Sequence, residues 1–149
     1  MRIRHCANLL VVVPAFALMP AWAGDTDDAA KKELKLFQGS WKAVAIRNAD
    51  GNEAPQSDVQ QTRLTVEGNA FTLTSRDVTI KGTFSVNPAK TPKAIDVVLK
   101  GDNGEETKLL GIYQVKGDIR KSCFAMPQQD RPSQFMTEKG YVSFEWKRN

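Results

Sequence analysis

Few side chains in this 149-residue sequence could carry out nucleophilic or metal chemistry. The single histidine, His5, and one of the two cysteines, Cys6, both precede residue 24. Without histidine, the rest of the chain cannot form a Ser-His-Asp or Cys-His arrangement, and it lacks the commonest zinc ligand. The sequence pattern also indicates no pair of carboxylates for general acid–base catalysis. We therefore expect a protein that is not an enzyme, with no catalytic residue, no metal and no cofactor.

Two remaining features could react or bind a cation, and both have a simpler explanation. Cys123, the other cysteine, lies in an apolar stretch, which favours buried packing over a reactive or dimer-forming thiol. Residues 101–106 read Gly-Asp-Asn-Gly-Glu-Glu and offer oxygen atoms to calcium. Because they do not match the spacing of a twelve-residue calcium loop, we expect a solvated hairpin turn there.

Arg120 is one candidate for contact with a ligand. Together with Ser122 it falls in register with Phe124 and Met126, where larger apolar residues are expected. An inward-facing Arg120 would be a buried cation able to receive a carboxylate or another anionic headgroup. A shift of one residue would instead turn it to the rim or the outside, because neighbouring strand residues face opposite sides. The sequence leaves both orientations open.

Large aromatic side chains occupy apolar strand positions elsewhere in the chain. They are Phe71, Phe84, Phe124, Phe144 and Trp146. These rings could line a cavity for an apolar ligand or fill a solid core, and small barrels allow both. The predicted ligand-binding set consists of Arg120 with Phe71, Phe84, Phe124 and Phe144.

Residues 1–23 predict a cleavable signal peptide. Two arginines give a basic start, residues 7–19 are almost entirely apolar, and Ala21-Trp22-Ala23 offers the small residues that a signal peptidase admits. A retained membrane anchor is the alternative, but the apolar run is shorter than the roughly 20 residues that span a bilayer. We expect a periplasmic or secreted protein with one domain over residues 24–149, whose mature form does not span a membrane.

The charge balance changes when this leader is removed. The full sequence carries 21 basic and 17 acidic residues, and the leader holds two of the basic ones. The remaining 19 basic and 17 acidic residues give a net charge of +2 over 126 residues. Without a dense basic cluster, this charge argues against nucleic acid or an anionic membrane surface as a partner. One cysteine also allows no internal disulfide.

The element pattern is typical of an all-β domain with a short N-terminal helix. Residues 27–37 predict an amphipathic helix, with Thr26 as its cap. From Ser40 onward apolar and polar residues alternate, most clearly over 78–86. Turn-forming residues interrupt the alternation at short, fairly even spacing, which gives about eight strands and no crossover helix. We predict an antiparallel meander that closes as a barrel or folds as a sandwich.

A resemblance to a known family favours the barrel. Seven segments, in this order, resemble the planctomycete-type uncharacterised lipocalin-like domain family: Leu36–Trp41, Arg63–Asn69, Gly82–Phe84, Pro92–Asp96, Leu110–Tyr113, Cys123–Ala125 and Arg131–Phe135. The resemblance covers roughly residues 36–148 and implies an exported, single-domain lipocalin-like β-barrel with no established activity. Arg120 and Ser122 depart from the family's pattern, as does the turn at 128–130, which lacks a glycine.

The same resemblance implies roles for two residues at one end of the barrel. Trp41 enters the first strand in a Gly-Ser-Trp sequence that is similar to the Gly-x-Trp of lipocalins. The matching lipocalin tryptophan closes one end of the barrel beneath a basic side chain. This implies that Trp41 is structural and that Arg148, or Lys147, lies over it. The alternative is that Trp41 lines a ligand pocket.

Three functions stay open, and the barrel interior distinguishes them. The leading prediction is an exported binding domain for a small apolar or amphipathic ligand. The second is a protein-interaction module of the cell envelope with a solid core, which would use loop 127–135 with its residues Arg131 and Phe135. The third is an enzyme that uses carboxylates. A cavity of roughly a few hundred Å³ favours the first, a filled core the second, and a cleft with two facing carboxylates the third.

Overall fold

The structure is a computed structural model that describes residues 23–135 and 138–149. The predicted signal peptide lies outside the described residues, except for Ala23. Within the described part of the chain, no helix is both long and apolar enough to cross a lipid bilayer.

Eight antiparallel strands follow one another around a closed barrel, and the last strand pairs with the first. This arrangement confirms the predicted all-β barrel and decides between a barrel and a sandwich. The strands are β1 (Gly39–Arg47), β2 (Arg63–Glu67), β3 (Ala70–Ser75), β4 (Val78–Asn87), β5 (Ala94–Lys100), β6 (Glu106–Lys116), β7 (Ile119–Ala125) and β8 (Tyr141–Arg148). Helix α1 (Ala23–Phe37) begins earlier than the predicted 27–37, and the sequence pattern does not predict helix α2 (Gln56–Gln61).

The alternation of apolar and polar residues explains why these segments form strands. In β2 the apolar residues Leu64 and Val66 are buried, while the three polar residues around them are exposed. Leu64 stands opposite Trp41 on β1 and Leu73 on β3. Apolar side chains from adjacent strands therefore meet inside the barrel, where they form the core.

The two ends of the barrel differ. One end, which we call the floor, carries α1, the end of β8 and the connections that follow β2, β4 and β6. The other end, the mouth, carries α2, the β3–β4 and β5–β6 turns and the β7–β8 loop. The connections after β2 and β6 are tight turns of two residues, and Gly68 and Gly117 adopt φ values of 62° and 57° there, which residues with a side chain rarely do.

The last turn of α1 seals the floor. Phe37 is fully buried, and its ring centroid lies 5.3 Å from that of Phe84 and 5.0 Å from that of Tyr113. The Trp41 indole Nε1 donates a hydrogen bond to the Phe37 carbonyl at 2.8 Å. The helix end is thus held from inside by aromatic contacts and by one of the hydrogen bonds that its last carbonyls require.

A second set of hydrogen bonds ties α1 to β6. The Tyr113 hydroxyl donates to one oxygen of the Glu33 carboxylate at 2.9 Å, and the Lys93 ammonium donates to the other at 2.6 Å. Burial, and then the neighbouring Glu33 carboxylate, raise the pKa of Tyr113 above its ordinary value. The phenol therefore stays protonated and continues to donate this bond.

Candidate functional site

A cavity of about 240 Å³ lies inside the barrel, and every strand except β1 contributes to its lining. Of the seventeen described residues in its lining, fifteen are hydrophobic, and the two polar ones, Arg120 and Ser122, are both on β7. The structure brings the whole predicted ligand-binding set to this cavity. Its aromatic members in the lining are Phe71, Phe84, Phe124 and Phe144.

The cavity is open towards the mouth. Several inward-facing residues at that end of their strands are only half-buried, whereas most of the lining nearer the floor is buried. The half-buried ones include Leu73, Ile80, Leu99, Met126 and Val142. Partial exposure of inward side chains at one end indicates that a small molecule can enter there.

Two glycines allow the aromatic rings to lie against the barrel wall. A Cβ on Gly82 would come within 2.7 Å of the Phe71 ring, and one on Gly111 within 2.5 Å of the Phe124 ring. Real Cβ atoms do not approach that closely, so only glycine fits beneath these rings. Because the rings fold back onto the wall, the middle of the barrel stays open.

Arg120 faces into the cavity, which decides between the two orientations that the sequence leaves open. Its residue surface is 5% exposed, and its guanidinium carbon lies 4.4 Å from the Phe37 ring centroid and 6.0 Å from that of Trp41. The guanidinium therefore rests on the aromatic floor with its other side towards the cavity. Burial lowers the pKa of Arg120 to about 9, so the side chain still carries its charge at neutral pH.

The polar atoms of β7 in the cavity lack partners. Arg120 Nε and Nη1 and Ser122 Oγ are the buried side-chain atoms, in the described part of the chain, that form no hydrogen bond. Burying a charged donor without a partner is costly, and native structures keep such groups rare. Since Arg120 and Ser122 are two residues apart, they share one face of the strand and form a single patch, which we call the β7 polar patch.

Trp41 and Arg148 meet on the outer side of the floor. The Arg148 guanidinium carbon lies 4.1 Å from the Trp41 ring centroid. Its Nη1 and Nη2 donate to the carbonyls of Gln38 at 2.6 Å and Leu36 at 2.9 Å. Arg148 therefore closes the barrel end by stacking on Trp41 and by capping the C-terminal carbonyls of α1.

The loop residues Arg131 and Phe135 have different surroundings. Arg131 forms an ion pair with Asp96 at 2.6 Å and donates to the carbonyls of Gly111 at 2.7 Å and Ile95 at 3.2 Å. Its side chain thus fastens the loop to the outside of the barrel. Phe135 is 42% exposed and remains accessible on the surface.

A second, outer cleft of about 250 Å³ lies between α2 and the adjoining parts of β1, β7 and β8. Strands β1 and β2 pair only from Gly39 to Lys42 on β1, and α2 covers the gap beyond with its one buried residue, Val59. The cleft shares Ser122 and Phe144 with the interior cavity. The cleft and the cavity are therefore neighbours that share these two residues of the barrel wall.

The described residues do not gather metal-ligating side chains into one cluster. They contain no group of three or more histidine, cysteine, aspartate or glutamate side chains that could hold a metal ion. Glu53 and Glu145 border the outer cleft, but Arg47 pairs with Glu53 at 2.9 Å and Lys121 with Glu145 at 3.5 Å. Each carboxylate is thus engaged by a cation rather than by the other carboxylate.

Three features of the two cavities were not predicted from the sequence. Gly111 interrupts an apolar strand pattern, and such a glycine signals close approach of another group, as Gly82 does. Val59 is a lone apolar residue in a polar segment after Pro55, which is a weak signal for a short covering helix. The lack of partners on Ser122 has no signal in the sequence, because it depends on what the other strands supply.

Comparison of the chain with protein-family models, with curated proteins and with solved structures finds no match. The resemblance to the planctomycete-type lipocalin-like family therefore stays a prediction. Function has to follow from the geometry of the cavity.

Proposed function

We propose that the protein is a non-enzymatic lipocalin-like binding protein that holds one small, largely apolar ligand inside its barrel, and that it does so in the periplasm or outside the cell. The observation that supports this most strongly is the cavity of about 240 Å³, walled by hydrophobic side chains. A solid core would give a larger apolar contact area for stability, so an open interior needs a functional reason.

Burial of an alkyl chain is sufficient for useful affinity in such a cavity. At about 30 Å³ for each water molecule in the liquid, the volume corresponds to roughly eight waters, or a ligand of roughly ten non-hydrogen atoms. Each buried CH₂ group contributes about 0.8 kcal/mol, so an eight-carbon chain gives roughly 6 kcal/mol. This free energy corresponds to a dissociation constant of roughly tens of micromolar for an uncharged ligand such as octan-1-ol.

A matched pair of variants on β5 tests whether the interior is the binding site. Leu99 faces the mouth of the cavity, and the adjacent Val98 faces outward. Leu99→Phe should lower the affinity for octan-1-ol at least about tenfold by narrowing the mouth, and Val98→Phe should leave it unchanged. Calorimetric titration of the full chain, expressed with its own leader and purified in native form, measures both. Failure of octan-1-ol and other small apolar probes to bind would contradict the proposal.

A second candidate function is protein interaction through loop 127–135. It is supported by Phe135, a large exposed side chain beside the outer cleft. Phe135→Ser should weaken capture of an envelope partner without loss of stability, whereas Arg131 is unsuitable for that test because its side chain holds the loop in place. Equal partner capture by Phe135→Ser would count against this surface.

A further inference from the structure

The β7 polar patch differs from other polar groups near the floor because it has atoms without hydrogen-bond partners. The Trp41 indole, the Tyr113 hydroxyl and the Arg148 guanidinium all have hydrogen-bond acceptors there. The Glu33 carboxylate that α1 contributes is already engaged by Tyr113 and Lys93. No described carboxylate is left to neutralise Arg120, so its free donors point to a partner that comes from outside the chain.

The charge of the cavity limits which partner fits. Among the described residues that line the cavity, Arg120 alone is ionisable, so they give the empty cavity a single positive charge. A monoanion makes the buried pair neutral. A neutral ligand leaves the cation uncompensated, and a dianion leaves a net negative charge in a site of low dielectric.

The position of the patch fixes the direction of binding. Arg120 rests on Phe37 at the floor, and the hydrophobic lining extends from there to the half-exposed residues at the mouth. A headgroup at the β7 polar patch therefore leaves its apolar chain pointing towards the mouth. A chain of roughly eight carbons fills the volume, and a longer one would extend into solvent.

We propose that the ligand is a monoanionic amphiphile, a medium-chain carboxylate, which binds with its carboxylate on Arg120 and Ser122 at the floor and its alkyl chain towards the mouth. This inference rests on the proposed function, because it names the class of ligand that the same cavity takes. The planar guanidinium donates two hydrogen bonds to a carboxylate with matching geometry, and the Ser122 hydroxyl supplies a further donor.

The test compares three probes of equal chain length: octanoate, octan-1-ol and octyl phosphate, which carries more than one negative charge at neutral pH. Calorimetric titration at pH 7 uses the full-length protein and three variants. Arg120→Met removes the inward cation, and Lys121→Met removes its outward neighbour on the same strand, which contacts Glu145 on the surface. Ser122→Ala is a milder variant that removes one donor and keeps the charge.

The unmodified protein should bind octanoate at least about 30-fold more tightly than octan-1-ol, and more tightly than octyl phosphate. Arg120→Met should lower the affinity for octanoate about 100-fold and change that for octan-1-ol by less than about threefold, as expected for a charge-assisted pair. Lys121→Met should change neither, and Ser122→Ala should weaken octanoate binding about tenfold.

Binding of octan-1-ol without a preference for octanoate would overturn the headgroup assignment and leave the binding function intact. Binding of neither probe would overturn both. A preference for octyl phosphate over octanoate would assign the cavity to a dianion and contradict the monoanion. Because the preference among probes is measured on the unmodified protein, these outcomes do not depend on whether Arg120→Met folds.

Discussion

Replacing Arg120 with methionine should stabilise the ligand-free protein, because it removes a buried charge that has no partner. Arginine ordinarily titrates above about 12, and each pH unit by which a pKa falls corresponds to about 1.4 kcal/mol. A pKa of about 9 therefore places the cost of the buried guanidinium at roughly 4 kcal/mol. The contact with the Phe37 ring, at 4.4 Å, offsets about 1 kcal/mol of this cost.

The expected gain in the free energy of unfolding is thus about 3 kcal/mol, or about 12 °C in Tm for a domain of this size. Equilibrium urea unfolding at pH 7, with both proteins stripped of ligand, measures it. Lys121→Met is the matched control, because its ion pair with Glu145 is a surface contact of 3.5 Å. It should change the unfolding free energy by less than about 0.5 kcal/mol.

The pH dependence supplies a signature that a packing effect would not give. The pKa of Arg120 is lower in the folded protein than in the unfolded chain, so above about pH 9 the unfolded chain binds more protons. This group's contribution to stability therefore rises as the pH rises through that value. The advantage of Arg120→Met should shrink above pH 9, while the raised pKa of Tyr113 affects both proteins equally.

A lower unfolding free energy for Arg120→Met than for the unmodified protein would contradict the predicted cost of the buried charge. It would mean that Arg120 has a stabilising role in the empty barrel. A stability difference that does not change between pH 7 and pH 10 would contradict the lowered pKa of Arg120.

Two further predictions concern the barrel wall and the outer loop. Gly111→Ala should lower the free energy of unfolding, measured in urea, by about 2 kcal/mol, because the new Cβ would lie 2.5 Å from the Phe124 ring. Unchanged stability would show that the barrel wall is loosely packed there. Arg131→Ala should lower the free energy of unfolding by about 2 kcal/mol, because it removes the ion pair with Asp96 and two hydrogen bonds to backbone carbonyls. Phe135→Ser should change it by less than about 0.5 kcal/mol, because the Phe135 side chain is exposed. Equal effects of the two substitutions would contradict the structural role of Arg131.

The β-barrel could be predicted because its signals are local. The alternation over 78–86 and the turn glycines act within a few residues, and they mark the strands and their breaks. Helix α2 could not be predicted in this way. It is only six residues long and carries one buried side chain, Val59, so it depends on the gap between β1 and β2 that it covers.

The cavity could be predicted only as one of two alternatives. Inward phenylalanines such as Phe71 and Phe124 have the same sequence pattern whether they fill the interior or line it. The difference arises from Gly82 and Gly111 on neighbouring strands, which let these rings lie against the wall. The inward orientation of Arg120 likewise depends on strand register across the barrel, in which it stands opposite Trp146 on β8.

A native mass spectrum of the full-length protein, expressed with its own leader and recorded under gentle conditions, tests the central claim most directly. We expect one small molecule in each chain, either carried through purification or taken up from added octanoate, and much weaker uptake of octanoate by Arg120→Met. A spectrum of bare protein, both as purified and after exposure to octanoate and to octan-1-ol, would contradict it.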